Sequence, residues 1–328
     1  MLNRPADCVS LGRVYYKKQI GLFLKHKISV ITVNYNSSQY TKACVDSILK
    51  HTSSRLDYQI VVVDNNSEPD DYRKLMDLSG IDKVLVVRSK INLGFAGGNM
   101  YGVQFCDADY YFFLNNDSEL QNDCLSILSE FCEQKPEVGI CSPQLYEGDG
   151  RILCSFDYFP SLASKLLGTG LLRLMNPRQF PKKRFVYTEP LQVDIVSGST
   201  LFVRATAFNE LGGFDTNLFL YCEEEDIALR MRQHHYAVYL VPAAHNIHHA
   251  GASTQKSLAI RKEFYISFLY IYTKHYGFLK TQILKLLLII RLLRKSIGSA
   301  ENLELAVFIA RNAPMKCSLK HKQTLRDL

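Results

Sequence analysis

Four carboxylates in succession, Glu223-Glu224-Glu225-Asp226, open a segment with helical periodicity. Negative charge suits a helix N-terminus, so a solvated face that complements the dipole is one reading of the cluster. Like charges this close also raise one another's pKa, which makes a carboxylate usable as a general base near neutrality. Further on, His245, His248 and His249 flank a strand-like run, and Asp117 follows the apolar segment Tyr110–Leu114. Mg2+ or Mn2+ bound to nucleotide phosphates needs only one or two protein carboxylates, so Asp117 with one of these histidines would suffice for a cation site. Asn116 and Asp117 equally suit the cap of a following helix.

A glycine-rich run, Asn92-Leu93-Gly94-Phe95-Ala96-Gly97-Gly98-Asn99, adds a second kind of chemistry. Gly97 and Gly98 near a helix start let an anion such as a diphosphate approach backbone N–H groups. Glycines there also serve close packing. The run follows the third predicted strand rather than the first, so it is not the dinucleotide fingerprint. The sequence contains no GxxxxGK[ST], HExxH or GxSxG. Hydride transfer and P-loop phosphoryl transfer are therefore disfavoured.

These residues need a frame. From residue 28 short apolar runs alternate with helical patterns: Ile28–Val33, a helix near Gln39–Lys50, then Gln59–Val63 and Lys83–Val87, a helix over Phe95–Cys106 and the strand Tyr110–Leu114. That order predicts an α/β fold with a mostly parallel open sheet flanked by helices. Each strand ends in polar residues: Asn34-Tyr35-Asn36, Asp64-Asn65-Asn66-Ser67, Asn92 and Asn115-Asn116-Asp117. Ligands of open α/β sheets bind outside the carboxyl ends of the strands, so these residues outline a nucleotide site. Residues 145–190, with four prolines and the basic run Lys182-Lys183-Arg184, read as an insertion over that site. Order returns at Val193–Val203, followed by a helix over Glu224–His234 and a strand near Val238–Val241.

The formal net charge of +7 is unevenly spread. Residues 1–27 carry +5, residues 264–300 carry +6 with no acidic residue, residues 301–328 carry +2, and residues 28–263 carry −6. An acidic body argues against a grip on phosphate backbone, so no nucleic-acid partner is expected. Nine cysteines without CxxC spacing indicate neither a zinc module nor a disulfide framework.

In order and at normal spacing, ISVITVNYNS, IVVVDNNS, NLGFAGGN, YYFFLNNDSEL, VDIVSGSTLFVR, LGGFDTNLFLYCEEEDIALRMR and YLVPAAHNIHHAGAST resemble glycosyltransferase family 2, in its rhamnosyltransferase-like branch of bacterial surface-polysaccharide synthesis. The resemblance implies a GT-A fold over residues 28–254 and inverting transfer from a nucleotide-sugar with a divalent cation, Mg2+ or Mn2+. It puts Asn34, Asn36 and Asp64 around the nucleotide base and ribose, and Asn92, Gly97, Asn99 and Asn116 along the donor. Asp117 becomes a metal ligand on the family's DxD position, whose first Asp is Asn115 here, with His248 as a second ligand. Glu224 falls where the catalytic base is usually Asp, with Glu223 or Asp226 as substitutes. Asp194 is implied to orient the acceptor. The donor it implies is dTDP-L-rhamnose, or alternatively a UDP-hexose or UDP-galactofuranose. The acceptor is a lipid-linked saccharide. Loss of activity through the Glu224 and Asn115 departures, leaving a sugar-nucleotide or membrane-binding protein, is the rival reading.

Residues 1–27 form a basic extension and 255–328 a helical C-terminal region. Residues 278–297 there predict a helix with Ile283, Leu286, Ile289, Ile290, Leu293 and Ile297 on one apolar arc and Lys280, Lys285, Arg291, Arg294 and Lys295 elsewhere. A basic amphipathic helix lies well in an anionic interface, which predicts a peripheral protein on the inner face of the bacterial cytoplasmic membrane. Packing on the body or on a partner subunit is the alternative.

Overall fold

The computed structural model describes residues 26–249 and 257–326. The basic extension 1–27 and the Gly251–Thr254 end of the last motif lie, save for His26 and Lys27, outside the described residues.

The strands are β1 (His26–Asn34), β2 (Tyr58–Asp64), β3 (Val84–Arg88), β4 (Ala108–Leu114), β5 (Ser118–Leu120), β6 (Val138–Tyr146), β7 (Phe156–Asp157), β8 (Leu191–Val193), β9 (Ile195–Val196), β10 (Thr200–Arg204) and β11 (Ala237–His248). The helices are α1 (Ser38–His51), α2 (Pro69–Leu75), α3 (Gly94–Val103), α4 (Cys124–Gln134), α5 (Leu162–Met175), α6 (Ala205–Glu210), α7 (Glu223–Gln233), α8 (Leu258–Tyr276), α9 (Phe278–Arg294) and α10 (Ala300–Ala310). One sheet runs in the order β3-β2-β1-β4-β10-β6-β11-β5, with β8 added beside β11. The expected parallel pattern holds across β3-β2-β1-β4. Beyond it β10 enters antiparallel between β4 and β6, and the second half is mixed.

Val30, Val62 and Phe112 pack into one hydrophobic cluster beneath α1 and α4, while their neighbours Ile31, Val63 and Phe113 pack into another with α3, α7 and α8. Strands buried on both faces read as unbroken apolar runs, which is why β1, β2 and β4 are legible in the sequence. The register sets Asn34 opposite Asp64 and Asp64 opposite Arg88, so three polar strand ends stand level at one edge of the sheet.

β11 extends well past the Val238–Val241 prediction. A register shift between Val241 and His245 bends the strand, and its far end then pairs with β5, His248 opposite Ser118. A second edge strand therefore supports residues whose own pattern is too polar for a buried strand. In the insertion, β7 pairs with β9, and α5 follows with a kink at Gly168 (φ 77°). On the C-terminal side, α8 to α10 contribute Ile266, Tyr272, Leu284, Leu305 and Ile309 to the α7-side cluster, so they pack on the sheet domain. No helix among the described residues is long and apolar enough to cross a membrane.

Candidate active site

The base candidates sit where a strained turn meets a helix. Tyr221 and Cys222 both adopt left-handed backbone (φ 75° and 69°) immediately before α7. Such geometry in non-glycine residues costs of order 1–3 kcal/mol each and tends to gather at functional sites. It delivers Glu223, Glu224 and Asp226 to three different environments.

Asp226 is fully buried and belongs to a clamp. Arg230 approaches it at 2.7 Å, Lys274 at 2.8 Å and His275 at 2.7 Å, the last two from α8. Burial alone would raise its pKa, but the hydrogen bond from His275 and the charges of Arg230 and Lys274 overcome this and hold it at about 2. A carboxylate so stabilised in its charged form is a poor proton acceptor. In this setting Asp226 ties α7 to α8.

Glu223 is buried and its pKa is raised well above the usual carboxylate range, by burial and then by Glu224. Glu224 is only half-buried, and it too is raised, by burial first and then by the charge of Asp157 in the insertion. The Glu224 carboxyl lies under Gly198, where an added Cβ would stand 3.2 Å from it. Any larger residue there would crowd the carboxyl. The sequence motif contains Gly198, but nothing in its composition marks that role.

The next residue links this carboxyl to the cation candidates. Ser199 O accepts from Asn115 N at 2.9 Å, which fixes the Asn115-Asn116-Asp117 turn beside the Gly198 loop. Asp117 Oδ1 lies 3.2 Å from His248 Nε2. His249 N donates to Asp117 O at 2.9 Å, and the His249 ring turns to Glu119. His245 instead packs edge-on against Tyr146. Of the three histidines, His248 is the one whose ring lies beside the Asp117 carboxylate. Among the described residues no three His, Cys, Asp or Glu side chains converge on one point. A single carboxylate with one imidazole fits a Mg2+ or Mn2+ that takes its remaining ligands from phosphate and water.

A hydrogen-bond chain leads from this turn to the opposite end of the sheet edge. Asn116 Nδ2 donates to Ser37 Oγ (2.6 Å) and Thr41 Oγ1 (2.9 Å), and Thr41 donates to Asn34 Oδ1 (2.8 Å). Asn34 Nδ2 is shared among Asp64, Ser67 and Asp71. Asp64 is fully buried and meets Arg88 Nε at 3.0 Å. Arg88 in turn covers the Tyr72 ring, 4.0 Å from its centre. A ligand reaches Asp64 only by entering this network, whereas Tyr35 and Asn36 stand exposed in front of it. Arg88, one residue past the predicted strand Lys83–Val87, gave no signal in the sequence.

The glycine run shows mostly packing. Gly94 (φ 72°) faces Phe219 O, only 2.1 Å from an imagined Cβ, and Phe95 N donates to that same oxygen at 2.7 Å. Gly98 is pressed against Val33 and Asn65, and Gly97 against Leu93, so the close-packing alternative accounts for both. Asn92 Oδ1 accepts from Gly94 N and Asn99 Nδ2 donates to Phe95 O, which holds the helix start in shape. Asp194 accepts from Phe159 N at 3.1 Å, and burial raises its pKa. It therefore joins the insertion to the sheet.

The C-terminal segment also reaches this edge. Thr324 O accepts from Asn66 Nδ2 (3.1 Å), Arg326 N donates to Lys90 O (2.9 Å), and the Arg326 side chain meets Glu68 and Ser67 O. No sequence pattern foretold that contact across more than two hundred residues.

The chain matches the family model "Glycosyl transferase family 2" over residues 29–212. It is 26% identical over 232 residues to Rhamnosyltransferase WbbL of Escherichia coli K12, covering 68% of this chain and 83% of that protein. It is 28% identical over 159 residues to the N-acetylglucosaminyl-diphospho-decaprenol L-rhamnosyltransferase of Mycobacterium tuberculosis, covering 46% of this chain and 50% of that one. A structure of GalNAc-T7 with UDP, GalNAc and Mn2+ shares the fold at TM-score 0.54 and 17% identity, over 75% of this chain and 47% of that one. With the GT-A sheet, the carboxylate under Gly198 and the polar strand ends, the chain belongs to glycosyl transferase family 2 and is a glycosyltransferase.

Proposed function

We propose that this enzyme transfers L-rhamnose from dTDP-L-rhamnose, with inversion, to a lipid-linked saccharide on the inner face of the bacterial cytoplasmic membrane. The names of both relatives support rhamnosyl transfer, and that of the Mycobacterium tuberculosis protein supports a lipid-linked acceptor; dTDP as the nucleotide is what the sequence resemblance implies. The observation that carries the chemistry is the juxtaposition of the half-buried Glu224 under Gly198 with the Asp117–His248 pair one loop away.

The nucleotide lies along the strand ends, its base toward Asn34, Asn36, Asp64 and Arg88 and its diphosphate toward Asn92, Asn99 and Asn116. Asp117 and His248 are the residues that would hold a divalent cation, which would supply neutralisation of the charge on the nucleoside diphosphate. Glu224 accepts the proton of an acceptor hydroxyl, whose oxygen bonds to the anomeric carbon from the face opposite the nucleotide as the bond to the diphosphate breaks. A pKa raised by burial makes the Glu224 carboxylate a stronger base than an exposed one. Asp157, from the insertion, and Asp194, which joins the insertion to the sheet, bound the acceptor side.

The test is transfer of labelled sugar by the full chain with Mn2+ or Mg2+, supplied in turn with dTDP-L-rhamnose, a UDP-hexose and UDP-galactofuranose. Turnover with dTDP-L-rhamnose that collapses in Glu224→Gln and Asp117→Asn is the expected result. Turnover with a UDP-sugar alone would overturn the donor assignment. Turnover unchanged in both variants would overturn the site.

A further inference from the structure

Helix α9 is apolar on two faces rather than one. Its core side is formed by the buried Thr281, Leu284, Lys285 and Leu292 with the partly buried Leu288 and Ile289, and Lys285 Nζ is held there by Gln282 and Asn312. Its other side is the stripe Leu279, Ile283, Leu286, Ile290 and Leu293, spaced for one helix face and exposed along its whole length. Leu279 is 78% exposed, Leu286 58%, and Ile297, just past the helix end, 92%. Of the arc expected from the sequence, only Ile289 turns toward the core cluster. At 100° per residue Lys280, Arg291 and Arg294 all fall on one flank of the stripe, roughly 60–120° from its middle. All three are exposed.

A second helix continues this surface. α9 touches α5, and α5 exposes Leu166, Leu167, Leu171, Leu174 (82%) and Met175. Arg178, Lys182 and Arg184 follow it, all exposed, with exposed Phe185 and Val186 beside them. Neither helix contains an Asp or Glu. An apolar expanse of this size on two adjacent helices is more than scattered surface leucines explain.

We infer that α5 and α9 together form a docking surface for an anionic phospholipid membrane, with the leucine and isoleucine side chains in the interface and the basic flank on the headgroups. Charge decides between this and pairing with a second copy. A self-complementary contact would bring the acid-free basic flanks of two copies into one interface with no carboxylate from either helix to neutralise them, whereas anionic headgroups supply the missing charge. The helix of 17 residues, about 25 Å long, lies flat on such a surface rather than crossing it. The surface also has a use. α5, within the insertion, begins five residues after Asp157, whose charge acts on Glu224, so the docked face adjoins the acceptor side of the base. This inference supplies the membrane contact of the proposed function and rests on that reading for its purpose.

Flotation of the full chain with vesicles of phosphatidylcholine, with and without 30 mol% phosphatidylglycerol (a composition of about that anionic content suffices), tests it. The wild type is expected to float with the anionic vesicles and to be released by high salt. Leu286→Ser with Leu293→Ser, and separately Leu171→Ser with Leu174→Ser, should each lower partitioning by about tenfold or more, since each pair withdraws two large side chains from the interface. Arg291→Glu with Arg294→Glu should abolish the anionic preference. Binding equal to wild type in all three variants, or no wild-type flotation, overturns the surface. Loss confined to the α9 variants overturns the share of α5. A dimer that the α9 variants dissociate, with vesicle binding intact, overturns the membrane in favour of a second copy. Transfer to a soluble acceptor analogue, measured in parallel, separates the two readings: it persists in these variants if the enzyme assignment holds, and its absence in a wild type that floats would sink that assignment alone.

Discussion

Replacing Asp226 by Asn separates holding from catalysis within one acidic cluster. The carboxylate has no solvent exposure, and its pKa lies at about 2 against an ordinary 3.8. A carboxylate held that far below its ordinary value contributes on the order of 2 kcal/mol of stability at neutral pH. Because the folded pKa is depressed, that contribution is present above about pH 4 and is lost as the pH falls toward 2. Breaking a buried ion pair by removing one partner can cost ~3–5 kcal/mol. Here Arg230 keeps its 2.8 Å bonds to Leu211 O and Gly213 O, which limits the damage to the lower figure. With an unfolding entropy of about 2.1 cal/mol/K per residue over 328 residues, each kcal/mol moves the midpoint by roughly 1.5 °C, so a fall of about 3–5 °C is expected. Glu224→Gln, whose raised pKa marks a carboxylate destabilised in its charged form, should leave the midpoint unchanged or higher. Thermal unfolding and initial transfer rates below both midpoints give the comparison. Asp226→Asn should lose stability and keep most of its turnover, and Glu224→Gln the reverse. An Asp226→Asn protein with wild-type stability and no turnover would refute the reasoning and return Asp226 to the chemistry.

The acid limb of the rate against pH should report Glu224, and should therefore lie above the ordinary carboxylate range; Gly198→Ala, which brings a methyl to 3.2 Å from that carboxyl, should move the limb or lower kcat with little change in donor KM. Gly94→Ala adds a Cβ at 2.1 Å from Phe219 O in a left-handed residue, so a stability loss of about 2 kcal/mol or more is expected by chemical denaturation. Arg326→Ala releases the strap on Ser67 and Glu68, and should weaken nucleotide diphosphate binding by calorimetry while leaving the Tm within about 2 °C, as exposed ion pairs contribute little to stability. Unchanged nucleotide affinity would reduce the strap to a packing element.

What was legible in the sequence follows from where burial is strongest. β1, β2 and β4 are buried on both faces, and their uninterrupted apolar runs announce them within a residue or two. β6 is just as buried but carries Ser142, Pro143 and Gln144, whose polar groups find partners only in the folded state: Ser142 with Thr200, and Gln144 with Ser155. A pattern rule cannot anticipate such partners. The site divides in the same way. The position of Asp117 after a strand was readable, but which histidine ring lies beside it was not: that follows the register shift in β11, past which His248 faces Asp117 while His245 packs on Tyr146. Within the acidic run, four adjacent carboxylates look alike until α8 brings Lys274 and His275 to one of them.

The helix α9 carries this argument furthest. An amphipathic sequence specifies two faces but not which of them meets the protein, and the ordinary presumption sends the more apolar one inward. Here Lys285 is turned inward, where Asn312 and Gln282 take its ammonium, and the Leu279–Leu293 stripe is turned out. Burying a lysine while exposing leucines is unfavourable in water on both counts. The arrangement becomes favourable when the outer face is not in water. Of the six basic residues within 264–300, Lys274 serves the Asp226 clamp and Lys285 is turned inward, so it is Lys280, Arg291 and Arg294 that the proposed surface would set against an anionic medium.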